Sequence, residues 1–126
     1  MTTAKFFLIL GSLNAALAVA LGAFGAHALK ARLAPEWLAV FHTGVEYHFY
    51  HALGLLLVGL VAGQMSDSGY VRWAGWLMLA GIVIFSGSLY ALSLSGLRGI
   101  GAAAPLGGAA FMAAWLALAV GVWKGV

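Results

Sequence analysis

Cysteine is absent from the 126 residues, acids number only three, and no basic run breaks the chain. The first absence excludes disulfides, thiolate metal sites and thiol catalysis together. The second leaves charged residues at 7% of the sequence, against roughly 25% in an ordinary soluble domain. So few charges cannot cover the surface that a soluble globule of this size exposes, so the solvent for most of that surface must be lipid. The net charge of +3 is dispersed, and a dispersed charge gives no nucleic-acid footprint. Also missing are a nucleophile–base pair with an oxyanion partner, a phosphate loop and a dinucleotide fingerprint, so no enzymatic constellation is legible.

What the chain does have is apolar length: 64% hydrophobic residues, a mean hydropathy of +1.05 and 18 glycines. Four apolar stretches run over about 6–28, 45–63, 73–95 and 101–123. Each is close to the ~20 residues that carry a helix across ~30 Å of hydrocarbon. No alternating strand pattern competes, and backbone groups without water must be paired within the segment, so helices are the spanning form. The expected fold is all-α, a single integral membrane domain over 1–126, built as an antiparallel up-down-up-down four-helix bundle. Lys5, the first apolar run and Ala26-His27-Ala28 mimic a signal peptide, but the run exceeds the ~7–15 residues of a signal core and reads as a retained span.

The links carry their own punctuation. Pro35 and Glu36 suit the first turn of a helix, and Trp37, Leu38 and Phe41 then share one side of a short interfacial helix before the second span, with Gly44 as the bend. Asp67 or Ser68 caps the third span, and Ser95-Gly96-Leu97-Arg98-Gly99 makes the last two spans antiparallel neighbours. Pro105 starts or kinks the last helix. Gly11, Ala15, Ala18, Gly22 and Ala26 form a seam for close helix contact within the monomer, a homo-oligomer face being the minority reading. Asn14, mid-span, calls for an interhelical hydrogen bond worth on the order of 1 kcal/mol. Orientation stays undecided by charge, since Lys5, Arg72 and Lys124 at one end balance Lys30, Arg32 and Arg98 at the other.

In such a bundle the polar residues His27, His42, Glu46, Tyr47, His48, Tyr50, His51, Ser86, Ser88 and Tyr90 fall toward one membrane side. Two readings of Glu46 stand side by side. It is a carboxylate that binds a cation or relays protons, as ionisable residues at membrane depth do, or it is held near the headgroups by Tyr50 or His42 one turn away. His48 and His51, spaced i,i+3, raise a metal reading, and His27 with His51 a pair of axial haem ligands, but with no thiolate and three acids neither set is complete. No metal or cofactor is therefore expected.

The strings Gly22-Ala-Phe-Gly-Ala-His27, Thr43-Gly-Val-Glu-Tyr47 followed by His51-Ala-Leu, Phe85-Ser-Gly-Ser-Leu-Tyr90, and Pro105-Leu-Gly-Gly108 with Phe111 and Trp115 resemble one family. It is the family of small four-helix membrane proteins that includes bacterial YgdD and animal transmembrane protein 256, and the resemblance covers nearly the whole chain. It implies an integral membrane protein, in the inner membrane for bacterial members, of unestablished activity. Its pattern falls on Gly25, His27, Gly44, Glu46, Tyr47, His51, Ser86, Gly87, Ser88, Tyr90, Pro105 and Gly107, and leaves out His42 and His48. Ala104 departs from the threonine often found before the proline. Members with a basic tail after the fourth span imply cytoplasmic termini.

Together these readings predict a polar cluster of His27, Glu46, Tyr47, His51, Ser86, Ser88 and Tyr90 at one end of the bundle. Gly22, Gly25, Gly44, Gly87, Pro105, Gly107 and Gly108 are then packing or kink positions. The expected function is a structural or interaction role in the membrane, with lipid or a membrane protein as partner; the alternative is a small transporter, proton relay or cofactor-binding protein using Glu46, His27 and His51.

Overall fold

A computed structural model describes residues 1–65 and 68–125, and these form helices throughout. Helix α1 is Thr3–His27, α2 Pro35–Gln64, α3 Gly69–Gly81, α4 Gly87–Ser95 and α5 Ala104–Lys124. Short 3₁₀ turns, Leu29–Ala31 and Arg98–Ala103, join α1 to α2 and α4 to α5. A π-helical segment, Ile82–Ser86, makes α3 and α4 one continuous span. The result is four helices long and apolar enough to cross a membrane, Thr3–Ala31, Pro35–Gln64, Gly69–Ser95 and Arg98–Lys124.

Local chemistry sets the ends. Thr2 accepts from the Lys5 N–H at 3.1 Å as an N-cap, and Ser68 does the same for Val71 at 3.5 Å. Asp67, the other expected cap, lies outside the described residues. Pro35 and Glu36 occupy the first turn of α2, where a missing N–H and a negative charge both suit the helix dipole. Gly96 ends α4 at φ 71°, the left-handed conformation that favours glycine, and its N–H reaches the Leu92 carbonyl at 2.8 Å. Pro105 lies in the first turn of α5, so it starts the helix.

The expected separate interfacial helix is not formed. Residues from Pro35 run without interruption into the second span, and Gly44 is a contact point rather than a bend: a Cβ there would lie 2.9 Å from the Tyr90 ring. At about 1.5 Å per residue α2 is roughly 45 Å long, so its first turns extend past the ~30 Å hydrocarbon layer.

Lipid offers no hydrophobic drive for helices to associate, so close packing must hold them. Glycines receive aromatic rings from neighbouring spans: Phe41 on Gly25, Phe7 on Gly75, Phe111 on Gly81 and Tyr90 on Gly44. Gly107 lies against the backbone of Phe85 itself. The α1 seam faces α2 within the monomer, with Gly11 against Ala52 and Leu56, and Gly22 against Val45. Helix α2 packs against α1 on one side and against α3 and α4 on the other, while α3 pairs with α5. Phe7, Leu55, Val58, Met78, Ile82 and Phe111 fill the space between. Large apolar side chains such as Leu13, Leu17, Val83, Leu106, Met112 and Leu116 point outward, as a lipid-facing exterior requires.

Candidate functional site

Asn14 lies roughly 17–20 Å from either end of α1 at about 1.5 Å per residue, in the middle of the bundle. Its side-chain N–H₂ donates to the Leu10 carbonyl at 2.9 Å, which turns Oδ1 toward α2. There Oδ1 lies 2.9 Å from Nε2 of His48. An amide oxygen only accepts, so Nε2 carries the ring proton and Nδ1 is left as an acceptor. The Tyr90 hydroxyl donates to that Nδ1 at 2.8 Å. One continuous chain of hydrogen bonds thus joins α4, α2 and α1.

His51, one turn deeper, is held with the opposite tautomer. Its Nδ1–H donates to the Tyr47 carbonyl at 2.7 Å, and its Nε2 accepts from the indole N–H of Trp115 in α5 at 3.0 Å. The ring stacks on Phe111 at 3.5 Å between centroids and 10° between planes. Ser86, fully buried at the end of the π segment, donates to the Gly44 carbonyl at 2.8 Å. Four interhelical bonds therefore tie the other three spans directly to α2. At about 0.6–1 kcal/mol each in a membrane, they contribute roughly 2–4 kcal/mol.

The predicted one-sided cluster does not assemble. His51, Ser86 and Tyr90 are in or beside the network, but His27 is exposed at the end of α1 and Glu46 is exposed on α2. The reason is helical: Glu46 and His51 leave α2 about 140° apart, and only the histidine face is covered by protein. Glu46 accepts from the Tyr50 hydroxyl at 3.3 Å, the local pairing. Tyr47 contributes its carbonyl to the network while its ring, partly exposed, packs 4.9 Å from Phe85. Ser88 donates to the Phe85 carbonyl of its own span. Of the packing positions, Gly22, Gly25, Gly44 and Gly107 are close contacts, whereas a Cβ at Gly87 or Gly108 would meet its nearest neighbour only at 4.0 Å.

The interhelical bond expected of Asn14 is formed, but sequence reasoning misses His48 as its partner and Trp115 as the partner of His51. The family pattern leaves His48 out, yet it is the hub. One signal points to it: a mid-span Asn needs a partner at its own depth, and antiparallel pairing places His48 of the second span near that depth. The His27–His51 haem pairing has no geometry, since the two lie at different levels and both His51 nitrogens are engaged. Among the described residues, no group of three or more His, Asp or Glu is placed to hold a metal.

On the outer face, α1 and α2 enclose a groove of about 330 Å³, lined by Ala18, Gly22 and Ala23 on one side and Val45, Phe49 and Tyr50 on the other, with Glu46 at its edge. Its lining is almost wholly apolar surface, so the Glu46 carboxylate stands at the rim rather than in the wall.

Four apolar antiparallel helices, pinned by buried polar side chains and presenting an apolar exterior, define a small multi-pass membrane protein. The family model described as protein of unknown function DUF423 matches residues 21–108, and the chain belongs to this family. It is 54% identical over 120 residues to the UPF0382 membrane protein YwdK of Bacillus subtilis, covering 95% of this chain and 98% of the relative. UPF0382 membrane proteins of Staphylococcus saprophyticus and Staphylococcus epidermidis are 49% and 48% identical over the same share of this chain, with 98% and 97% of their own lengths covered. No solved structure matches.

Proposed function

We propose that the protein is a non-enzymatic component of the cell's inner membrane, whose buried polar side chains fix the helix arrangement and whose interaction surface is its lipid-facing exterior. The supporting observation is the donor and acceptor accounting of the interior. All four ring nitrogens of His48 and His51 are engaged by protein groups, and among the described residues no buried side-chain nitrogen or oxygen lacks a partner. A ligand cage must present donors or acceptors that the protein leaves unused, and this interior spends its atoms on holding helices together. Membrane lipid is the partner in this reading. Both termini are assigned to the cytoplasmic side, in line with the family resemblance, which turns the end bearing Lys30, Arg32 and Arg98 outward.

Metal analysis and an absorption spectrum of protein purified in mild detergent test the reading. It expects no stoichiometric metal and no haem band, with lipid as the retained adduct. A stoichiometric metal or a haem band contradicts it.

A further inference from the structure

Among the described residues, Glu46 is the one acid well inside a spanning helix, since Glu36 sits in the first turn of α2. The neighbouring Val45 packs 3.3 Å from the position of a Cβ on Gly22, which sets Glu46 about 9 Å short of the α1 end at about 1.5 Å per residue. A carboxylate at that depth is expensive unless it is paired. Among the described residues it has no cationic partner: its one polar contact is the Tyr50 hydroxyl at 3.3 Å. Arg98, at the same end of the bundle, is instead placed over the Trp37 ring, 5.6 Å from its centroid.

Beside this carboxylate lies the α1/α2 groove. Ala18, Gly22 and Ala23 leave it open because they have little or no side chain, and Phe49 and Tyr50 wall it. Its volume of about 330 Å³ is in the range of ligand sites, ~300–1,000 Å³. Side chains on a helix lean toward its N-terminus, and the N-terminus of α2 is the nearer interface, so Glu46 is lifted toward the headgroup layer. The arrangement is an acceptor at the edge of an apolar trough, on its side toward the α2 N-terminus.

We infer that this groove binds a bilayer phospholipid with a primary ammonium headgroup, the ammonium at Glu46 and an acyl chain along Ala18, Gly22, Val45 and Phe49. The inference rests on the lipid-facing reading above and names the lipid class. A primary ammonium supplies the missing positive charge and three N–H donors, a charge-assisted bond with Glu46 among them. An anionic headgroup would be repelled at the same place, and a trimethylated ammonium brings charge without N–H donors.

The test is native mass spectrometry of the full chain released from nanodiscs of equal parts phosphatidylethanolamine, phosphatidylcholine and phosphatidylglycerol. Wild type should retain phosphatidylethanolamine over phosphatidylglycerol by about tenfold, equivalent to ~1.4 kcal/mol. Glu46→Gln, a near-isosteric change on an exposed face, should erase that preference while leaving thermal unfolding unchanged. Ala23→Leu, which fills the trough and keeps the carboxylate, should lower total lipid retention. Equal lipid ratios in wild type and Glu46→Gln overturn the inference, as does a dimer that forms through this face and excludes lipid. Either outcome leaves the interior reading standing, whereas a metal or haem in the same spectra would overturn that reading without touching the groove.

Discussion

Two imidazoles one turn apart on α2 hold opposite tautomers because their partners differ in kind. His48 faces an amide oxygen at Nε2 and a hydroxyl at Nδ1, while His51 faces a carbonyl at Nδ1 and an indole N–H at Nε2. Trp115 can only donate, so Nε2 of His51 must accept. Replacing Trp115 with Phe keeps an aromatic ring in the packing but strands that acceptor in a buried position. We predict a loss of about 1–2 kcal/mol, read as a lower unfolding midpoint in detergent. Trp73→Phe, at a site 65% exposed, should leave the midpoint within about 0.5 kcal/mol. Equal effects of the two substitutions would mean that the His51–Trp115 bond does not hold α5 in place.

Among the elements, the third span departs most from a regular helix. A π turn takes about one residue more than an α turn and so rotates the C-terminal half of the span about its axis. Before it, Gly75 and Met78 face α1 and α2, and Ser86 at its end and Tyr90 beyond it face α2. Phe85 within it presses its backbone onto Gly107 of α5. Gly107→Ala would place a methyl group against backbone that cannot swing aside, and a cost of about 1–3 kcal/mol is expected in thermal unfolding. Gly99→Ala, with nothing within 4 Å, should be neutral to about 0.5 kcal/mol. If both behave alike, the close approach of α5 to the π segment is not what fixes the last span. Apolar run length makes the four spans legible in the sequence, as do the Pro35 and Pro105 helix starts. The π segment is not legible there, because Ile-Val-Ile-Phe-Ser reads as any apolar stretch and its irregularity answers to contacts with α2 and α5. The α2 helix running through Gly44 is equally hidden, since a glycine marks a bend or a contact by the same letter.

At the scale of the whole molecule, α2 is the most enclosed span and α1 the least. The polar residues that a linear reading gathers at one end are split by α2 into two sets: an inward set near mid-depth that binds helices together, and an outward set, Glu46 and Tyr50, beside a lipid-facing groove. The 140° divergence between Glu46 and His51 is contained in their spacing, but which face lipid covers depends on which helices flank α2. Topology in the membrane is open to direct labelling, because the chain has no cysteine of its own. With Thr3→Cys and Leu97→Cys as single probes, a membrane-impermeant maleimide applied to intact cells, or to spheroplasts where an outer membrane intervenes, should label position 97 and spare position 3. The reverse pattern would invert the proposed orientation.

The interior histidines are spent on holding the bundle, each in one fixed neutral form. Nitrogen-15 NMR of the imidazole rings in nanodiscs measures this most directly, with His48→Gln and His51→Gln samples assigning the signals. We predict a protonated Nε2 with a bare Nδ1 at His48 and the converse at His51, each without averaging. Rings that share one tautomer, or that exchange rapidly between the two, would contradict the claim.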